Sequence, residues 1–294
     1  MDKLLEIRDL TVSFGRRAVV QNVSLEVEKG KIVMLVGESG SGKTTVLKSV
    51  LGLLDPGASV GSGEILFRGS PLPHQDKKKI RAILGKEIAV ILQNPDLYLD
   101  PLMTIGAQYY EIMSSHGRIS KKEARRQAAA RLAGLGFNDP QLWLDKRPYE
   151  LSGGMCQRAA IAIAMANQPA LLLADEPTSA LDVASGEEVM ARLTGIRDRD
   201  NTTIFLVTHN MSVVSRYADS VGVMNQGFLV EWGAKEEILK DPRHPYTRML
   251  LDSVPRLNGS LTGKAAVPSF CLSPGNSRRF ASETHWYLER EEAS

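Results

Sequence analysis

A glycine-rich octet, Gly37-Glu38-Ser39-Gly40-Ser41-Gly42-Lys43-Thr44, directly follows the apolar run Ile32 to Val36 and precedes the helix-forming stretch Thr45 to Leu51. Strand, tight loop and helix in that order demand an α/β layout, in which the loop turns at the carboxyl end of a buried strand and opens a helix. The spacing G-x-x-x-x-G-K-[ST] adds chemistry to this geometry. Glycines let the backbone curl so that successive N–H groups and a helix N-terminus converge on phosphate oxygens. Lys43 contributes a point charge, Thr44 offers a hydroxyl to a Mg²⁺ that bridges the same phosphates, and Thr45 stands where a second hydroxyl reaches an α-phosphate. The segment Gly37 to Thr45 is therefore expected to hold a nucleoside triphosphate. A chance Gly/Ser turn would explain neither the strand before it nor the helix after it.

Further continuous apolar runs, Ile88 to Leu92, Ala170 to Ala174 and Thr203 to Thr208, read as parallel strands covered on both faces. The opening segment differs. Leu5 to Phe14 and Val23 to Val27 alternate apolar and polar residues, as half-buried antiparallel strands do, and Glu28-Lys29-Gly30 ends the pair in a turn. Gly63 to Phe67 is another strand, and Val221 to Glu231 a hairpin turning at Asn225-Gln226-Gly227. Between about 104 and 150 helical periodicity replaces strand signals, marking an inserted helical subdomain. Within it Ser120 and Glu123 form a capping box, and the helix they open ends at Gly136. After Trp232 come helical stretches at Ala234 to Lys240 and His244 to Leu251. From Asn258 onward Gly, Ser and Pro recur without period, so the tail is expected to be an appendage or partly mobile.

With 294 residues the chain can bury one large core or two modest ones, and its net charge of +2 gives no sign of a polyanionic partner such as nucleic acid. The basic runs Lys77 to Lys79 and Lys121 to Arg126 read as solvated faces. Two cysteines, Cys156 and Cys271, are too few for a disulfide framework and favour the cytosol. Charge interrupts the apolar N-terminal run, which therefore lacks the core of a secretory signal, and no apolar stretch is long enough to cross a bilayer.

A phosphate loop needs a carboxylate on its metal, and Asp175 stands at the end of a buried strand, placed to hold Mg²⁺ through water. Glu176, the next residue, is positioned to polarise the attacking water as a general base. His209 and Gln93 likewise follow buried strands at their carboxyl ends. The imidazole is placed for a hydrogen bond to the γ-phosphate, and the neutral amide for the metal or the attacking water. Ser152-Gly153-Gly154, ahead of the apolar helix Ala159 to Met165, make a second phosphate-directed nest. Two nests do not easily serve one γ-phosphate from one chain. A head-to-tail dimer, in which the nest of one subunit closes over the nucleotide of the other, resolves the difficulty.

Taken in order, Gly37 to Thr44, Gln93, Leu151-Ser152-Gly153-Gly154-Met155, Asp175-Glu176, Ser179 to Asp182 and His209 resemble the motif series of the ATP-binding-cassette (ABC) ATPases, over roughly residues 1–235. The resemblance implies a P-loop, RecA-like α/β core with an antiparallel β subdomain and an inserted helical subdomain. It implies ATP hydrolysis with Mg²⁺ and closure of a cassette dimer around ATP. Phe14 matches the aromatic that stacks on adenine, and Met155 stands where many cassettes carry glutamine. Leu151 to Met155 with Gln157-Arg158, Gln93-Asn94-Pro95 with Asp100 to Gly106, and His244 to Arg248 with Val254-Pro255 are similar to oligopeptide, dipeptide and nickel importers, whose C-terminal extension would occupy 236–294. Some peptide-type relatives bind an iron–sulfur centre there through a cysteine cluster. Cys271 alone excludes that cluster, and its absence, with Gln93-Asn94-Pro95 after the strand, leans the cargo toward nickel or a metal chelate.

The expected setting is the cytoplasmic face of the cell membrane. The chain would be peripheral there, with a related second ATPase as heterodimer partner, two permease subunits and an extracytoplasmic binding protein. The segment from about 95 to 110 would receive a permease helix. A soluble cassette ATPase of DNA repair or translation is the rival reading, but neither a coiled-coil insertion nor a second cassette is present. A small P-loop kinase leaves Leu151 to Met155 unexplained.

Overall fold

The computed structural model describes residues 2–95, 98–253 and 277–289, which fall into two compact units. In chain order the strands are β1 (Lys3–Phe14), β2 (Arg17–Glu28), β3 (Ile32–Val36), β4 (Ala58–Phe67), β5 (Ser70–Pro71), β6 (Ile88–Ile91), β7 (Leu171–Asp175), β8 (Thr203–Thr208), β9 (Ser220–Asn225), β10 (Phe228–Ala234), β11 (Ser277–Phe280) and β12 (Trp286–Glu289). The helices are α1 (Lys43–Leu51), α2 (Lys77–Ile83), α3 (Ile105–His116), α4 (Lys121–Gly134), α5 (Pro140–Leu144), α6 (Gly153–Ala164), α7 (Val183–Asp200), α8 (Met211–Tyr217), α9 (Lys235–Lys240) and α10 (Pro245–Asp252).

The first unit comprises residues 1–72 and 206–294. Its antiparallel sheet has the order β2-β1-β4-β5. Leu5, Ile7, Leu10 and Val12 of β1 are all buried, while Glu6, Arg8 and Thr11 face outward or lie at the rim. Period-two alternation thus sends one face of the sheet into the core. Breaks in the β1–β2 register between Ile7 and Leu10, and between Leu10 and Val12, accommodate Asp9 at a positive φ of 50°. In the same unit β3 runs parallel to β9, β9 turns back into β10, and β12 then β11 extend the sheet beyond β10. Every residue of β3 is buried, as its unbroken apolar sequence requires.

The second unit spans 73–205, and β8 crosses the division between the two. Here β6 pairs in parallel with β7 in the register Ile88↔Leu171 to Ile91↔Ala174. The same unit carries the helices α3, α4 and α5. Thr104 opens α3 by accepting from the Ala107 N–H at 3.2 Å, and Ser120 opens α4 by accepting from Glu123 N–H at 3.2 Å. The Glu123 carboxylate takes hydrogen bonds from Arg126 and Gln127, which hold its pKa down to about 2. Ala124, Ala128 and Leu132 bury one stripe of α4.

Residues 277–289 form an ordered hairpin, because β12 adds to the edge of β10 in the register Glu231↔Tyr287 and Trp232↔Trp286. The Trp286 ring is buried beneath the Arg278 guanidinium, 4.4 Å from its centroid. The described part of 236–294 packs within the first unit. Val254, Pro255, Cys271 and the Gly/Ser/Pro-rich stretch from 258 to 276 lie outside the described residues.

Candidate functional site

The phosphate loop is built where β3 gives way to α1. Gly37 leaves the strand at φ +149°, and a Cβ there would fall 2.1 Å from the Met224 carbonyl oxygen of β9. Gly42 caps α1 at φ +102°, with the Val19 carbonyl of β2 only 2.7 Å from where a Cβ would be. Any side chain at either position would push the loop off its neighbours, so these two glycines set the path of the backbone. The β9–β10 turn braces the loop from outside. Gly227 N–H donates to Ser41 O at 3.0 Å, and Gln21 N–H of β2 donates to Gly227 O at 2.8 Å.

Inside the loop lies Lys43, 3% exposed. Its ammonium donates to Gly37 O at 2.9 Å, Glu38 O at 2.7 Å and Ser41 Oγ at 3.3 Å. Glu38, Ser39 and Gly40 form the exposed rim, whereas Ser41 is buried. At the head of α1, Gly42 supplies no side-chain cap and the first turn carries no acidic residue. Thr44 and Thr45 stand in that turn. An uncapped helix N-terminus beside a buried cation fits a triphosphate in both geometry and sign.

Sequence reasoning missed one member of this site. The hydroxyl of Tyr246, a buried residue in the first turn of α10, accepts the Glu38 backbone N–H at 3.0 Å. Burial raises the Tyr246 pKa, so its oxygen meets that amide as a neutral phenol. Phe14, an exposed residue, closes β1, and Gly15 N–H ties the following turn to Gly57 O at 3.2 Å. His209 is exposed just beyond β8, ahead of α8, whose cap Asn210 accepts from Ser212 and Val213 N–H.

In the second unit β7 ends at Asp175, 7% exposed. Glu176 follows in a left-handed conformation, φ +46°, a costly choice for a residue with a Cβ. The turn holds it there. Ser179 N–H and Oγ both donate to Glu176 O, at 3.1 and 3.0 Å. The Gln93 amide, just past β6, donates to Glu176 Oε2 at 3.5 Å, so the expected base and the expected amide do come together.

Ser152 caps α6 and accepts from Met155 N–H at a long 3.4 Å, with Gly153 exposed beside it and Gly154 less so. These residues line a cavity of about 310 Å³ together with Arg158, Asp182 and Ser185. Asp182 caps α7 by accepting from Ser185, and those bonds lower its pKa. Arg158 donates to Gly154 O at 3.3 Å, Leu135 O at 3.2 Å and Glu188 at 3.2 Å, fixing the cavity wall. Neither Gln93 nor Glu176 lines this recess.

Among the described residues no cluster of three or more His, Cys, Asp or Glu is arranged to hold a metal by itself. Thr44 in the first unit and Asp175 in the second each carry an oxygen donor of the kind Mg²⁺ takes. No helix among the described residues is long and apolar enough to cross a membrane.

Residues 20–179 match the ABC transporter family, and residues 230–275 match the C-terminal region of oligopeptide/dipeptide transporters. The dipeptide transport ATP-binding protein DppD of Lactococcus lactis subsp. cremoris is 38% identical, over 98% of this chain and 84% of its own. The oligopeptide transport ATP-binding protein OppD of Bacillus subtilis is also 38% identical, over 98% and 83%. Among solved structures, cbiO1 of Clostridium perfringens, part of the ABC transporter complex cbiONQ, superposes with a TM-score of 0.72 at 25% identity, over 82% of this chain and 92% of its own. The cassette MJ0796, dimeric and in a post-hydrolysis state with ADP and Pi, gives 0.70 at 27% identity, over 79% and 99%. The fold is that of the P-loop NTPases, and the chain belongs to the ABC transporter family as an ATP-binding, ATP-hydrolysing subunit of its oligopeptide/dipeptide branch.

Proposed function

We propose that this chain powers the import of oligopeptides or dipeptides. The observation that carries the cargo class is the near full-length likeness to two peptide-transport ATPases, which extends through the C-terminal region. Those relatives weigh toward peptides over nickel or a metal chelate. A soluble role in DNA repair or translation has no feature of the chain in its favour.

In this reading Gly37 to Thr45 cradle the phosphates, Lys43 and Thr44 meet the β- and γ-phosphates and their Mg²⁺, and Phe14 stacks on the base. Mg²⁺ supplies charge neutralisation on the phosphoryl oxygens. Asp175 holds its hydration shell. Glu176 takes a proton from the attacking water, Gln93 orients that water, and His209 donates to the γ-phosphate. Ser152, Gly153, Gly154 and Met155 contact the nucleotide of a second ATPase subunit, a related but distinct chain. The assembly sits on the cytoplasmic face of the membrane with two permease subunits and an extracytoplasmic binding protein. ATP then works as a differential ligand. To switch the dimer almost completely it must favour the closed state by about 5.5 kcal/mol.

The test is reconstitution of the native complex in vesicles with its binding protein. Peptides of two to several residues should stimulate ATP hydrolysis and accumulate inside, while nickel salts should do neither. Stimulation by nickel alone, or recovery of the chain without permease subunits, overturns the reading.

A further inference from the structure

The C-terminal extension reaches the phosphate loop through a chain of buried polar contacts, all within the first unit. At its base is Glu231 of β10, with no exposed surface. Its Oε1 lies 2.7 Å from His285 Nε2 and accepts the Arg243 N–H at 2.7 Å, and its Oε2 accepts the His244 N–H at 3.0 Å. A buried carboxylate with three such partners is well satisfied, and it fixes the backbone just ahead of α10. His244 then caps α10, its Nδ1 accepting the Tyr246 N–H at 3.1 Å. Tyr246 is thereby held at both ends, by its own backbone N–H and by the hydroxyl that accepts from Glu38.

The Glu38 N–H belongs to the same peptide plane as the Gly37 carbonyl, and that carbonyl accepts from the Lys43 ammonium at 2.9 Å. One rigid plane is therefore pinned at its N–H by Tyr246 and at its oxygen by Lys43. Rotating it would turn the oxygen away from Lys43 and leave an amide N–H without the phenol.

The geometry points to Tyr246 as a positioning residue of the nucleotide site: through the Gly37–Glu38 peptide, its hydroxyl sets where the Lys43 ammonium rests. Tyr246 touches no phosphate itself and acts by preorganising the group that does. The C-terminal extension is thus a structural part of ATP binding. This rests on the reading of Lys43 as a phosphate ligand, and the experiment separates the two.

Tyr246→Phe keeps the buried ring and removes only the hydroxyl. In the assembled complex it should raise the KM for MgATP about 3- to 10-fold, the effect of one lost hydrogen bond, while kcat stays within about twofold. Hydrogen exchange followed by mass spectrometry should show the Glu38 amide protected in the unaltered chain and exposed in the variant. An unchanged KM, or a Glu38 amide in the unaltered chain that exchanges as fast as those of Ser39 and Gly40, overturns the proposal even should the variant fold poorly. Lys43→Ala serves as the control. If it abolishes nucleotide binding while Tyr246→Phe does nothing, only the role of Tyr246 falls; if it too leaves binding intact, the phosphate-loop reading falls first.

Discussion

The phosphate loop and the Gln93–Glu176 edge, to which we assign parts of one reaction, are built in opposite ways. The loop is braced on every side: backbone carbonyls of Val19 and Met224 crowd its glycines, Gly227 ties down Ser41, and Tyr246 holds Glu38. Its cation is buried among loop oxygens. The Gln93–Glu176 contact is long, Gln93 is exposed, and Glu176 sits in a left-handed conformation braced by its following turn. Ser152 is similarly exposed and weakly bonded. The contrast suits the proposed roles: a site that must be ready before nucleotide arrives is preorganised, and groups proposed to complete a site on closure are left adjustable.

The sharpest challenge to that contrast is Glu176→Gln. Losing a general base should cut kcat by about 10²- to 10⁴-fold with ATP affinity kept, measured by steady-state turnover and equilibrium binding. Unaltered turnover would remove the proton-abstracting role. Next comes Lys43→Ala, for which titration calorimetry should find MgATP affinity down by about 10- to 100-fold, the scale of lost charge-assisted hydrogen bonds. Equal affinity would show that the braced loop is not the phosphate site.

A pair of glycine substitutions then sets one region directly against the other. Gly42→Ala forces a Cβ against Val19 O at positive φ and should cost about 1–3 kcal/mol by denaturant unfolding, whereas Gly153→Ala meets nothing within 4 Å and lies in a helix. The second should be neutral or stabilise by up to about 1 kcal/mol. Comparable losses at both would erase the distinction between braced and adjustable regions.

The smallest effect is on acid stability. Burial holds the His244 pKa down to about 4 from 6.5, opposed by the nearby Glu231 carboxylate. The unfolded chain binds this proton more readily, so native stability falls as pH drops from about 6.5 to 4 and this group adds nothing above that window. His244→Asn, which retains a capping oxygen, should flatten the melting temperature over that range. An identical slope in the variant would show that other groups govern it.

Much of this architecture was readable beforehand, and the exceptions share a cause. Unbroken apolar runs located β3, β7 and β8 because strands buried on both faces need no polar residues, and alternation located β1. Thr104 and Ser120 announced their helices through capping chemistry. The loop between β3 and α1 and the strand end at Asp175 were legible because local spacing encodes them. Tyr246 was not, since its partner lies 208 residues earlier and a single hydroxyl leaves no periodic mark. The hairpin β11–β12 escaped for the same reason. Its strands are four residues each, and what orders them is the edge of β10 and the His285–Glu231 contact, neither encoded nearby. The strained Glu176 φ was equally invisible, because the turn from Pro177 to Ser179 that holds it gains meaning only in three dimensions.

The separation between Glu231 and His285 has a further consequence during synthesis. A ribosome adding residues from the N-terminus delivers the phosphate loop early, Tyr246 far later, and His285 another 39 residues after that. Until those late residues emerge, the carboxylate on β10 lacks its imidazole and the loop lacks its prop.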